Sequence, residues 1–252
     1  MAARAEADSP ARDRRPLRIA GAQGGPRALR ELQARMVECR ACPRLVAWRE
    51  EAARVKVRRF QADTYWARPV PGFGDPQARL ALIGLAPAAH GGNRTGRMFT
   101  GDRSGDFLYA ALHRAGFANQ PTSAHRDDGL RLSDAFIVAP CRCAPPANMP
   151  RPDELRRCSS WLDGELALLP RVRVVLALGA VGWDAMLQHF SRRGIAVPRP
   201  RPRFGHGAAA HLPGAPVLLG SYHVSQQNTN TGKLTPAMLD KVLAVARDLL
   251  AD

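Results

Sequence analysis

Four short apolar runs constrain this chain more than any other feature: RLALIGLAP at 79–87, DAFIVAPC at 134–141, VRVVLAL at 172–178 and PVLLGS at 216–221. Each has strand length and few polar residues, as expected of a strand buried on both faces. Stretches of helical periodicity lie between and after them. Residues 104–116 space Phe107, Leu108, Ala111 and Leu112 along one face and stop at Gly116; 152–169 opens at Pro152; 181–190 and 235–250 complete the set. Strands alternating with helices call for a parallel sheet covered on both faces. The predicted fold class is therefore α/β, a three-layer α/β/α sandwich around a central, mainly parallel four-stranded sheet. Ligands of such sheets sit at the carboxyl ends of the strands. Three polar, glycine-containing or proline-containing segments follow strands here: AAHGGNRTGRMFTGD, CRCAPPANMP and YHVSQQNTNTG.

At 252 residues the chain is long enough for one large α/β domain. Residues 1–25 are polar and rich in Ala, Arg and Gly, and are expected to form a disordered tail ahead of a single domain at 26–252. Residues 27–54 read as helical, interrupted at CRACPR, where Pro43 restarts the helix. Residues 191–214, rich in Arg, Pro, Gly and His, read as loop. No apolar run reaches the ~20 residues that span a bilayer, and MAARAEADSP lacks an apolar leader core. The expected location is cytoplasmic, with no membrane partner.

The formal net charge is +15, from 37 Lys and Arg against 22 Asp and Glu, and only Lys56, Lys233 and Lys241 are lysines. A coding bias explains arginine over lysine but not the excess of positive charge. A polyanionic partner explains both, because guanidinium pairs with phosphate in a planar, bidentate manner. Nucleic acid is the expected partner and association with the nucleoid the expected setting.

The five cysteines are Cys39, Cys42, Cys141, Cys143 and Cys158. An odd count in an intracellular chain argues against a disulfide framework and towards metal binding or catalysis. A redox pair at Cys39 and Cys42 would need a strand just before it, and a helix precedes it instead. Cys143 and Cys158 are separated by fourteen residues. Thiolates suit zinc and iron–sulfur clusters equally by softness, and spacing leaves both open.

GLAPAAHGGNRTGRMFTGDRSGDFLY, residues 84–109, resembles the first motif of the uracil-DNA glycosylase superfamily, most closely its iron–sulfur branch called family 5 or type B. CRCAPPANMP and GSYHVSQQNTNTGKLT resemble two further segments of that branch, in the same order, so the resemblance covers roughly residues 30–250. It implies a 4Fe–4S cluster on Cys39, Cys42, Cys143 and Cys158, with Cys141 outside the pattern. It also implies hydrolysis of the N-glycosidic bond of uracil in single- or double-stranded DNA, after the base is extruded into a pocket. A lyase would attack the sugar with an amine, usually lysine, and with only three lysines, of which Lys233 alone is near a site segment, a monofunctional enzyme is expected. Relatives of this type also accept deaminated purines such as hypoxanthine, and the same is expected here.

The resemblance makes Phe99 the stacking ring and His223 the donor to a uracil carbonyl. This chain reads His223-Val224-Ser225 where relatives commonly have His-Pro-Ser, so one fixed φ is missing from that turn. The apolar start Ala86-Pro87-Ala88-Ala89 is shared with type B enzymes, so polar work must fall to other groups. The candidates are Asn93, Asp102 and Asn148; Asp102 serves equally well as the cap of the helix from Ser104. Ala86, Pro87 and Ala88 are expected to line the base pocket, with small side chains that leave room for a purine. Arg94, Arg97, Arg103, Gln227, Asn228 and Lys233 are the expected DNA contacts, with 226–233 as the segment that enters the groove. The expected state is a monomer. Two other readings remain: a non-catalytic or covalently capturing iron–sulfur protein that binds uracil-DNA, and a zinc-stabilised nucleic-acid module.

Overall fold

The computed structural model describes residues 25–251. Apart from Gly25, the expected tail lies outside the described residues. Two helices come first, α1 (Pro26–Met36) and α2 (Pro43–Val55), each with proline in its first turn. The main strands are β2 (Leu80–Ile83), β3 (Ala135–Val138), β4 (Val174–Leu178) and β6 (Val217–Ser221). They pair in parallel in the order β3-β2-β4-β6. All four apolar runs thus form strands of the predicted parallel sheet. Two-residue strands β1 (Phe73–Gly74) and β5 (Ala209–Ala210) add antiparallel edges, making six strands among the described residues. The sequence reading missed both, because strands this short carry no periodicity, and β5 lies within the segment read as loop.

Alternation along each strand divides the core. Leu80, Leu82, Ile137, Leu176 and Leu219 face α4 (Arg103–Arg114) and α8 (Pro236–Ala251). Ala81, Ile83, Val138, Val175 and Leu218 face α1, α5 (Pro152–Ala167) and α6 (Ala180–Arg192). Because helices cover both faces, the strands are almost wholly buried, which is why they read as continuous apolar runs rather than alternating ones. Two short helices fall in the site segments, α3 (Gly92–Thr95) after β2 and α7 (Gln226–Asn230) after β6. Among the described residues, no helix is long and apolar enough to cross a membrane.

The chain leaves β2 for its neighbour β3 on one side, and leaves β4 for β6 on the other. The carboxyl ends of β2 and β4 are therefore where the connections diverge, the point at which an open α/β sheet forms a crevice.

Candidate active site

Glycines stand where β2 and β4 end. Gly84 follows β2, and a methyl group there would lie 2.9 Å from Cζ of Phe99, so the absent side chain lets the ring lie over the strand end. Gly179 follows β4 at φ +98°, a value that favours glycine, and a Cβ there would sit 3.2 Å from Cβ of His223. Both site side chains thus rest on bare backbone at the crevice. Their rings lie 6.2 Å apart, inclined at 41°. A glycine directly after each apolar run was the available sequence signal for these supports.

Phe99 adopts φ +50°, a strained conformation for a bulky residue. The network beneath it supplies the constraint. The Tyr109 hydroxyl donates to the Met98 carbonyl at 2.9 Å, and Thr100 exchanges a hydrogen bond with Ser123 at 2.7 Å. Arg97 donates to Thr100 Oγ1 at 2.8 Å, to Ser123 Oγ at 3.1 Å and to both Asp128 oxygens at 2.9 and 2.7 Å. Burial pushes the Asp128 carboxyl up, but Arg97 and the amides of Leu130 and Ala124 together hold it well below its ordinary range.

Burial in this crevice pushes the His223 imidazole down to about 4. The ring is therefore neutral at pH 7, a donor from one nitrogen only. Val224, where the sequence resemblance predicts proline, is fully buried. Asn228 of α7 donates from Nδ2 to the His223 carbonyl at 2.8 Å, and the Leu234 amide donates to the Asn228 carbonyl at 3.0 Å. A buried valine and a side-chain tether stiffen the turn in place of the missing ring.

Asp102 is the N-cap of α4, accepting the Gly105 amide at Oδ1 at 2.9 Å. Burial raises its pKa against the opposing effect of the Gly105 and Ser104 amides. Capping does not consume its second oxygen, so the carboxyl both holds the helix and remains ionisable. Asn148 is exposed at φ +55° in a short 3-10 turn, Pro146–Asn148, after β3. Pro87 is buried against the Gly92 turn, and the Ala88 carbonyl accepts the Gly91 and Asn93 amides at 3.2 and 3.0 Å. Ala86 packs towards Cys141 and Cys143, between the base loop and the cysteine loop.

Four expected contacts are placed elsewhere. Asn93 is fully buried, and its Nδ2 donates to the carbonyls of Arg49 at 3.1 Å and Ala89 at 3.4 Å, so it braces the loop instead of facing a ligand. Arg97 is the interior brace already described, only 4% exposed. Arg94 lies 3.7 Å over the Phe60 ring, pairs with Asp63 at 2.6 Å and donates to the carbonyls of His90 and Gly101. Asn228 is committed to His223. In each case a nearby carbonyl or carboxylate supplies the partner, a contact that linear sequence does not reveal. Arg103, Gln227 and Lys233 are exposed, with Lys233 Nζ 5.1 Å from the centre of the Tyr222 ring.

Cys39, Cys42, Cys143 and Cys158 line one pocket between α2, α5 and the loop after β3. Arg142 and Arg157 share its wall, and Arg49 donates from Nη1 to Cys143 Sγ at 2.9 Å. Burial pushes the Cys143 thiol up to about 12, offset in part by Arg49. Cys141 is fully buried, donates to the Cys143 carbonyl at 3.3 Å and does not line the pocket. Among the described residues, no three His, Cys, Asp or Glu side chains close around one ion. Cationic side chains lie among the thiols, and Cys141 and Cys158 interact directly through their side chains.

Residues 71–247 match the family model of the uracil DNA glycosylase superfamily. The chain belongs to that superfamily. A type-5 uracil-DNA glycosylase of Thermus thermophilus is 56% identical over 85% of this chain and 94% of its own length. One from Mycobacterium tuberculosis is 54% identical over 90% of this chain and 83% of the relative. One from Pyrobaculum aerophilum is 46% identical over 83% and 88% respectively. The family's α/β fold is the fold described above. The match spans both strand ends that carry Phe99 and His223, together with two of the four cysteines, Cys143 and Cys158.

Proposed function

We propose that this chain is a monofunctional uracil-DNA glycosylase whose base pocket is bounded by Phe99 and His223. The observation that carries the reading is the tilted pair of rings, 6.2 Å apart, seated on glycines at the crevice of the sheet. An extruded uracil stacks on Phe99. As the glycosidic bond breaks, negative charge builds on the uracil carbonyls, and the neutral imidazole donates a hydrogen bond to it from its single N–H. A preorganised donor of this kind acts most strongly in a dry site. Asp102, with its raised pKa, and Asn148 on the exposed turn are the polar groups proposed to orient water and the sugar. Water attacks C1′ as the glycosidic bond breaks, the proton it sheds ends on the departing uracil anion, and an abasic site with a hydroxyl at C1′ remains.

Small side chains at Ala86 and Ala88 support acceptance of hypoxanthine alongside uracil. Arg103, Gln227 and Lys233 are proposed to meet the DNA backbone of single- or double-stranded substrates, the protein acting as a monomer. Lys233 is held near an aromatic ring and is proposed to pair with phosphate, not to attack the sugar. Borohydride trapping with abasic DNA should therefore yield no covalent complex.

Four cysteines around one pocket, ringed by arginines, fit a 4Fe–4S cluster, and Cys39, Cys42, Cys143 and Cys158 are its proposed ligands. Such a net-negative thiolate cluster ties together three chain segments that share little regular structure.

The test is an end-labelled duplex carrying one U·G pair, followed by alkali. Multiple-turnover strand cleavage that collapses in His223→Ala supports the reading. Binding without turnover in the wild type overturns it.

A further inference from the structure

Arg49 is 2% exposed, yet among the described residues its guanidinium meets no carboxylate. Its partners are the Cys143 sulfur at 2.9 Å and the Cys39 carbonyl, reached by both Nη1 and Nη2 at 3.3 Å; Nε has none. The Glu50 carboxylate feels Arg49 through space but is held by Arg40, so the under-satisfied buried guanidinium favours an anion at the cysteine pocket that its donors face. The backbone of the same residue faces the other way. Its carbonyl accepts the buried Asn93 amide at 3.1 Å, and the Asn93 backbone amide in turn binds the Ala88 carbonyl at 3.0 Å, in the loop that ends at Phe99. One residue of α2 therefore touches two of the four cysteine positions with its side chain and the first base-pocket loop with its backbone.

We propose that Arg49 is a positioning residue that serves as the buried counter-cation of the cysteine-bound cluster and links that cluster to the base-pocket loop. The proposal rests on the reading of Cys39, Cys42, Cys143 and Cys158 as cluster ligands. Its chemistry is specific. A cation donating to a cluster sulfur stabilises the more reduced, more negative state, so its removal moves the reduction potential in the negative direction. Loss of the side-chain anchor frees α2 to shift, and the turn held by Asn93 loosens with it.

The full-length protein purified under argon is first assayed for iron and acid-labile sulfide. Colourless wild-type protein without either refutes the cluster reading itself, whatever Arg49 does. With the cluster present, Arg49→Lys and Arg49→Met are compared by protein-film voltammetry and by amide hydrogen exchange across residues 88–99. Arg49→Met is expected to show a more negative potential and exchange at least tenfold faster in the turn, while Arg49→Lys keeps the wild-type potential. An unchanged potential or unchanged exchange in Arg49→Met overturns the proposal. If Arg49→Met does not accumulate, the wild type stripped of iron by a chelator gives the second reading. Exchange across 88–99 must then accelerate, and exchange equal to that of the loaded protein overturns the link.

Discussion

Asn228 donates from its side chain to the carbonyl of His223 at 2.8 Å, so a residue of the short helix after β6 fixes the backbone of the imidazole at the base pocket. The tether holds the turn that Val224 enters in place of the proline expected from the sequence resemblance. His223→Ala removes a transition-state donor and leaves this tether intact. A loss of ~10²–10³ in kcat is expected, the scale for one oxyanion-type donor, with Tm nearly unchanged. Asn228→Ala leaves the imidazole and frees its backbone, so a smaller fall in kcat with a lower Tm is expected. Steady-state kinetics and thermal melts on both variants check this.

The depressed pKa of His223 has a defined pH signature. Its folded value, about 4, lies below the ordinary histidine value, so the unfolded chain binds the extra proton first as pH falls. The stability contributed by the neutral ring is fully present above ~6.5 and declines as pH drops towards about 4. Melting temperatures from pH 8 to pH 4 should show this decline in the wild type and a weaker one in His223→Gln. Uracil excision should show no inflection near pH 6.5.

Asp102 separates capping from charge. Asparagine caps about as well as aspartate, so Asp102→Asn should retain stability, whereas Asp102→Ala should lose ~1 kcal/mol. If the carboxylate orients water or faces the cationic sugar, Asp102→Asn should lower kcat at unchanged Tm. Equal activity in Asp102→Asn and wild type would confine the residue to its cap.

Two arginines six residues apart should behave in opposite ways. Arg97→Ala removes the brace on Thr100 and Ser123 and leaves half-buried Asp128 with only its backbone amides, at an expected cost of about 1–3 kcal/mol in chemical denaturation. Arg103→Ala should leave stability within ~0.5 kcal/mol of wild type. If Arg103 meets phosphate, its loss should flatten the logarithmic salt dependence of DNA binding by about one unit, read by fluorescence anisotropy from 50 to 200 mM salt.

What the sequence determined was the four main strands, their parallel pairing as a class and the ends at which chemistry gathers, while their order and the two short edge strands came from the tertiary structure. Continuous apolar runs separated by helical periods have few ways to bury both faces, and glycine after two of them marks where other side chains can approach. The motifs also carried Phe99 and His223 to one crevice. The tertiary structure decided what each polar side chain does there. Arg94, Arg97, Asn93 and Asn228 sit in motifs that read as ligand-facing, yet Arg94, Arg97 and Asn93 are held by carbonyls or carboxylates from other parts of the fold, and Asn228 by the His223 carbonyl of its own motif. Buried donors must find acceptors, and whether a given side chain finds one inside or keeps its hydrogens for a ligand depends on contacts tens of residues away. The same holds at the cysteines. Their spacing left the metal open, while the shared pocket and a buried, carboxylate-free Arg49 arise only when α2, α5 and the loop after β3 are packed together.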